Sequence, residues 1–204
     1  MFLIQTDSQF DTYGTRMATS DSNGIIKICQ IVNDQAHQQA AFQAHSGPCW
    51  QLSWAHPKFE NVIATVGYDR YIKIWKEVNQ GNWQIAFEVE AGASVNSVQW
   101  ASWEYGLVLA AGSSDGKVHV LTRSDQDQWS QSSFVAHNSG VNGLSWGPAT
   151  EPCLLMAENI DAQNPQMNNQ ALNLVPKRFV TGGMDGKVKI WIEREDSPSE
   201  FKLI

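Results

Sequence analysis

The chain is expected to be an all-β propeller of about four four-stranded blades, and three observations lead there. The first is a cassette that recurs four times: a strand of small residues, a tight turn holding Asp or Asn, then an alternating strand ending in a bulky residue. It runs through residues 18–29 (ATSDSNGIIKIC), 64–75 (ATVGYDRYIKIW), 110–121 (AAGSSDGKVHVL) and 180–191 (VTGGMDGKVKIW). The second is its interval, 46 residues between the first three copies and 70 before the fourth. Repeats of this length with aspartate turns and closing tryptophans mark propeller blades. The third is an upstream strand ending in tryptophan, read in CWQLSW (49–54), VNSVQW (95–100) and VNGLSW (141–146). Such a fold directs the search for function to surfaces and edges.

Within each cassette the turn residue is Asn23, Asp69, Asp115 or Asp185, and the closing residue six positions on is Cys29, Trp75, Leu121 or Trp191. Aspartate suits the place because it caps its own backbone in a turn. Gly116 and Gly186 follow two of these aspartates, as expected of type I′ hairpins. A fourth strand per blade is read in NWQIAFE (82–88) and QWSQSSFV (128–135), and the first blade begins with a strand near 8–12. The single domain, 1–204, divides into blades at about 5–43, 44–90, 91–135 and 136–204. Residues 147–177, rich in Asn, Gln, Ala and Pro, read as a long surface loop, and 201–204 as the start of a fourth strand.

With 204 residues, 42% of them hydrophobic, the chain can bury one sizeable core. Nine tryptophans supply much of it. The net charge is −7 and the Lys and Arg residues are scattered, so no basic stripe points to nucleic acid. Cys29, Cys49 and Cys153 form no CxxC pair and read as small buried hydrophobes of a reducing compartment. Neither a secretory signal nor a run long enough to span a bilayer is found.

His45 and His137 each stand nine residues before an inner-strand tryptophan, Trp54 or Trp146, and Ala91 takes that place in the third blade. His45 with Asp69, and His137 with Asp185, invite a hydrolase reading, but no strained nucleophile turn accompanies them. The favoured reading is a structural turn network of His45, Asp69, Trp75, Asp115, His137, Asp185 and Trp191. No catalytic residue, metal ligand or cofactor site is expected, and no Gly-rich loop opens a helix to cradle phosphate. Trp50 and Trp54 are expected to pack in the core or between blades, while Trp103, past a strand end, is the candidate for an exposed contact.

The cassettes resemble WD repeats. Residues 13–19 (YGTRMAT), 49–57 (CWQLSWAHP), 68–77 (YDRYIKIWKE), 81–83 (GNW), 95–100 (VNSVQW), 105–116 (YGLVLAAGSSDG) and 177–191 (KRFVTGGMDGKVKIW) are together similar to the Sec thirteen family. The resemblance implies a non-enzymatic scaffold subunit of the coat protein complex II vesicle coat and of the nuclear pore complex, serving ER-to-Golgi protein transport. The implied location is cytoplasmic, at ER exit sites and the nuclear envelope, peripheral to membrane only through the assembled coat. The implied partner is an α-solenoid coat or nucleoporin subunit that inserts a blade in trans into an open six-bladed ring. Edge residues Phe2, Leu3, Ile4 and Phe10, with Trp103, are then the expected partner contacts. The chain departs from the family in holding four cassettes, which implies a fragment or an obligate complex. Its turn networks are also expected to be incomplete: Gly67 and Gly183 stand where a hydroxyl would help, and Leu121 replaces a tryptophan. A WD-repeat adaptor binding peptides on the propeller face is the alternative, and a His/Asp hydrolase the remote one.

Overall fold

Alternation of apolar and polar residues between turn signals sets the strands, because successive side chains of a strand face opposite sides. A computed structural model of the chain describes residues 4–149, 176–194, 196–197 and 200–204. The first sheet is β1 (Gln5–Phe10), β2 (Arg16–Asp21), β3 (Ile25–Val32) and β4 (Gln35–Gln43). The second is β5 (Cys49–Trp54), β6 (Val62–Gly67), β7 (Tyr71–Asn79) and β8 (Asn82–Glu90). The third is β9 (Val95–Trp100), β10 (Val108–Ser113), β11 (Lys117–Arg123) and β12 (Trp129–Val135). The fourth is β13 (Val141–Trp146), β14 (Arg178–Gly183), β15 (Val188–Glu193) and β16 (Phe201–Leu203). Each sheet is an antiparallel meander in sequence order, the build of a propeller blade. Most of the loop expected at 147–177 lies outside the described residues, as do Phe2 and Leu3.

The core lies between blades. Ala18, Ile26 and Ile28 of the first blade pack with Cys49, Leu52, Ile63, Trp75 and Trp83 of the second. Ala64, Ile72 and Ile74 of the second pack with Val98, Trp100, Leu109 and Leu121 of the third. Ala110, Val118 and Val120 of the third pack with Val141, Phe179, Trp191 and Phe201 of the fourth. Each of the first three blades thus offers a back of small and β-branched residues to the aromatic-rich front of the next. The extensive contacts between sheets all join neighbours in sequence, and among the described residues none of them links the fourth sheet to the first.

Hydrogen bonds repeat across these interfaces. The indole Nε1–H of Trp54 donates to the Gln9 carbonyl at 3.1 Å, that of Trp100 to Ser53 at 3.0 Å, and that of Trp146 to Gln99 at 3.0 Å. The acceptors are equivalent residues of successive inner strands, so one bond pins each blade to the next. A β-bulge also recurs at the start of every inner strand, leaving Thr6, Trp50, Asn96 and Asn142 unpaired in the ladder. The bulge turns the first three of these side chains toward the next blade: Thr6 Oγ1–H donates to the Cys49 carbonyl, and Asn96 Nδ2–H to that of Val141 at 3.2 Å. Of the two places expected for Trp50, core or blade boundary, the structure gives the second: the ring is 39% exposed, and its Nε1–H donates to Ser94 Oγ of the third blade at 3.2 Å. Trp54 packs against the core as expected.

Candidate functional site

The turn after each second strand is three residues long in the first three blades and four in the fourth, and each holds one residue with a left-handed backbone: Gly24 (φ 79°), Arg70 (φ 75°), Gly116 (φ 85°) and Gly186 (φ 73°). The preceding aspartates Asp69, Asp115 and Asp185 do not share that conformation. The hairpins are therefore not the expected type I′ turns, which need two left-handed residues, but loops of three or four residues with a single one. The N–H of each left-handed residue returns to a carbonyl three residues back, as in Gly116 to Ser113 at 3.1 Å.

In the second blade four side chains form one chain of bonds behind this turn. Asp69 Oδ1 and His45 Nδ1 are 2.8 Å apart, His45 Nε2 and Thr65 Oγ1 are 2.8 Å apart, and the Trp75 indole donates to Thr65 Oγ1 at 3.0 Å. A carboxylate only accepts, so His45 Nδ1–H donates to Asp69, and Nε2 accepts from the Thr65 hydroxyl. Asp69 also receives the N–H groups of Ser46 and Tyr71. Burial opposes charge on Asp69, but these donors outweigh it and hold the carboxyl at about 2. The fourth blade repeats the chain through Asp185, His137, Thr181 and Trp191, at 2.9, 2.8 and 2.9 Å. Asp185 is likewise held below the usual carboxylate range, His137 and the N–H groups of Lys187 and Asn138 outweighing desolvation.

Both networks are complete, which corrects the expectation of a missing hydroxyl. Thr65 and Thr181 supply it, four residues before the aspartate instead of two. Gly67 and Gly183 occupy the nearer place because the imidazole lies over them. A Cβ at Gly183 would stand 2.3 Å from His137 Nδ1, and one at Gly67 would stand 3.0 Å from the His45 ring.

In the third blade Ala91 and Leu121 take the places of the network His and Trp, and the turn is rewired. Ser113 Oγ–H donates to Asp115 Oδ1 at 2.5 Å, while Lys117 N–H donates to the same oxygen at 3.3 Å. Burial opposes the Asp115 charge, yet Ser113 and Lys117 keep its carboxyl low. Buried His119 lies 3.4 Å from Ser113 Oγ, and desolvation pushes its imidazole down. In the first blade the turn aspartate is Asp21, unmarked by the cassette reading: its Oδ1 accepts from Asn23 N at 2.9 Å and Ile25 N at 3.0 Å. Its one sequence signal was a carboxylate two residues before Asn23.

The expected contact residues scatter over the surface. Ile4 is 63% and Phe10 58% exposed, both at the first blade. Trp103 is 38% exposed, stacks on His56 at 5.4 Å and carries Lys58 Nζ at 4.5 Å over its ring. Sequence reasoning missed a clamp between the first two blades. Arg16 makes a two-pronged bond to Glu77 at 2.7 and 3.0 Å and lies 5.6 Å from the Trp54 and Trp83 rings. Desolvation works against the Glu77 charge, but Arg16, Gly81 N–H and Asn61 keep it low. A separation of 61 positions between Arg16 and Glu77 left no pattern to read. Burial pushes the Cys49 thiol up to about 12, so it behaves as a small apolar group. Among the described residues, no three His, Cys, Asp or Glu gather closely enough to hold a metal ion.

The WD domain, G-beta repeat family matches residues 36–76 and 170–191, which fall on the second and fourth cassettes. A Protein SEC13 homolog of Dictyostelium discoideum is 42% identical over 79 residues, 39% of this chain and 26% of the relative. Protein transport protein SEC13 of Yarrowia lipolytica is 43% identical over 90 residues, 44% of this chain and 30% of the relative. Protein transport protein SEC13 homolog A of Arabidopsis thaliana is 45% identical over 78 residues, 38% of this chain and 26% of the relative. The aligned part of the chain spans less than a third of the length of each. The matched repeats fall on a chain whose four described sheets are all blade-like meanders, and over less than half of its length the chain is similar to SEC13 proteins.

Proposed function

We propose that the chain is a structural scaffold subunit in vesicle-mediated protein transport, acting in the outer coat of ER-to-Golgi carriers and in the nuclear pore complex. One observation carries the reading. The residues with chemical potential, His45 with Asp69 and His137 with Asp185, are spent on bonds inside the blades, leaving the outer faces and edges for function. A threonine–histidine–aspartate chain has the outline of a hydrolase triad, but Thr65 is fully buried and its oxygen already accepts the Trp75 indole. No substrate carbonyl can reach it, so the reading is non-enzymatic. The names of the similar proteins from Yarrowia lipolytica and Arabidopsis thaliana place those proteins in protein transport, which supports the same role here. An α-solenoid partner that completes the sheet system in trans fits blades whose free edges otherwise invite pairing.

The alternative, an adaptor for peptides, draws on a groove of about 690 Å³ at the turn end of the second and third blades, lined by Ser46, Tyr68, Arg70, Tyr71 and Ser94. Depletion of the endogenous chain with a secretory-cargo reporter decides between the two. Under the scaffold reading cargo is retained in the endoplasmic reticulum, and the gently purified tagged protein carries a solenoid coat or nucleoporin subunit. Normal export, with loss of only a peptide client, would favour the adaptor.

A further inference from the structure

One residue in the four turns is out of keeping with the rest, and it lines a groove. Gly24, Gly116 and Gly186 hold the left-handed position in three turns, but Arg70 holds it in the second blade, at φ 75°. An L-side chain is strained there and glycine is not. The fold gains little from the exception. Arg70 meets Glu90 through Nη2 alone, at 3.1 Å, and the two side chains are 55% and 46% exposed. Strain without a matching gain in stability points to a use outside the fold. Arg70 opens onto the groove of about 690 Å³ between the turn ends of the second and third blades. Both walls belong to blades that have a described neighbour on either side.

The groove sets aromatic and hydroxyl groups beside that cation. Tyr68, 64% exposed, and Tyr71 come from the second blade, Ser94 and Ser114 from the third. Trp50 extends the aromatic surface. Ser94 Oγ accepts its indole N–H at 3.2 Å, which leaves the Ser94 hydroxyl proton for a guest. A cationic guest finds no partner in Asp69, whose side chain is 9% exposed and already accepts from His45, Ser46 and Tyr71. Glu88 and Glu90, paired with Lys73 and Arg70, limit how much negative charge the site tolerates. They repel a phosphate dianion, a nucleic acid or an anionic membrane. A single carboxylate, which a guanidinium holds with two parallel N–H donors, is the anion that fits.

We propose that this groove is a docking site for an acidic peptide segment of another protein. One Asp or Glu of the guest forks onto Arg70, and a neighbouring aromatic or aliphatic side chain lies on Tyr68 and Trp50. The Ser94 and Ser114 hydroxyls meet the guest's main chain. Arg70 then lowers stability and adds binding, so glycine in its place acts in opposite directions on the two. The inference does not depend on the coat reading, since a scaffold subunit can carry such a site as readily as an adaptor.

The test uses the purified full chain and a displayed library of random peptides, selected with the Arg70→Gly chain in excess as competitor. The strongest binder is made with a fluorescein label, beside a copy whose acidic residues are changed to their amides. Fluorescence anisotropy is expected to give a Kd on the order of ten micromolar for the acidic peptide and about tenfold weaker binding for the amide copy. Arg70→Gly weakens binding about tenfold while raising the melting temperature. Arg70→Lys, which keeps the charge and loses the fork, weakens it by a smaller factor. Tyr68→Ala weakens it and leaves the preference for the acid over the amide. The proposal is overturned if no peptide survives the competition, or if the survivors are basic or lack Asp and Glu. It is equally overturned if the amide copy binds as well, if Tyr68→Ala changes nothing, or if inorganic phosphate or phosphatidylserine vesicles displace the peptide. If Arg70→Gly does not melt cooperatively, Arg70→Lys serves as competitor in its place. Only the purified chain is present, so failure here leaves the cargo-export result standing, and failure of cargo export leaves this one standing.

Discussion

The Thr65 hydroxyl receives the Trp75 indole N–H at 3.0 Å and lies 2.8 Å from His45 Nε2, so one oxygen joins the closing tryptophan to the turn aspartate. Thr65→Val keeps the shape and removes the oxygen. Two buried polar groups, the indole N–H and His45 Nε2, then lose their partner in a place water does not reach. Each unsatisfied group costs about 1–3 kcal/mol, and the two share one relaxation, so a loss of about 2–4 kcal/mol is expected. Thr19, the equivalent residue of the first blade, is half-buried and pairs with Lys27, in a blade where Cys29 takes the place of the closing tryptophan. Thr19→Val should cost less than about 0.5 kcal/mol. Urea unfolding midpoints of the two variants test the contrast, and equal losses would contradict the network.

Acid should dismantle the same networks. The Asp69 carboxyl is held at about 2 in the folded chain, below its value of 3.8 outside it. A lowered folded value means the unfolded chain takes up the proton first. The stabilisation is therefore whole above about pH 4 and is lost as pH falls through about 2. Asp185 is lowered too and adds a loss of the same sign. Asp69→Asn should be less stable than wild type at pH 7, and the difference should shrink steadily toward pH 2. Thermal melts from pH 7 to pH 2 read it directly, and a gap that stays constant would show that Asp69 is not the titrating tie.

The blades were legible in the sequence because the cassette interval, the alternating strands and the closing tryptophans are all local patterns. Those patterns also marked His45, Asp69, His137 and Asp185. What escaped was register and volume. The bulge at Trp50 reverses the facing that simple alternation gives, and no residue type announces it. The hydroxyl donor was sought beside the aspartate, at Gly67 and Gly183, because spacing alone cannot reveal that an imidazole fills that space. Arg16 and Glu77 meet only because two blades bring them together, with no shared motif.

Gly183 carries that lesson into a test. A serine there resembles the third blade, where Ser113 bonds Asp115 without harm. In the fourth blade its Cβ would lie 2.3 Å from His137 Nδ1 and 2.7 Å from Asp185 Oδ1, and both groups are fixed by their own bonds. Gly183→Ser should therefore destabilise by about 2 kcal/mol or more, as overpacking at rigid sites does. Removing the obstruction should suppress the effect. In the His137→Ala background, Gly183→Ser should cost less than about 0.5 kcal/mol, a strongly non-additive pair. Additive losses would mean that the imidazole is not what requires glycine.

Arg70 is the exception among the four turns. Gly24, Gly116 and Gly186 hold the left-handed place in the others, but Arg70 adopts φ 75° with a side chain that must tolerate it. An L-residue pays about 1–2 kcal/mol for that conformation, which glycine avoids, although glycine gives back part of the gain through a freer unfolded chain. The Arg70 side chain offers little in return. Its ion pair with Glu90 spans 3.1 Å between groups that are 55% and 46% exposed, where such pairs contribute little. Arg70→Gly should therefore stabilise the chain by about 0.5–1 kcal/mol, and Arg70→Ala, which keeps the strain and loses the charge, should be neutral or slightly destabilising. Melting temperatures of the two variants at low and high salt separate backbone from charge. A stabilisation shared by both substitutions would point to the charge, whereas one confined to glycine belongs to the left-handed turn.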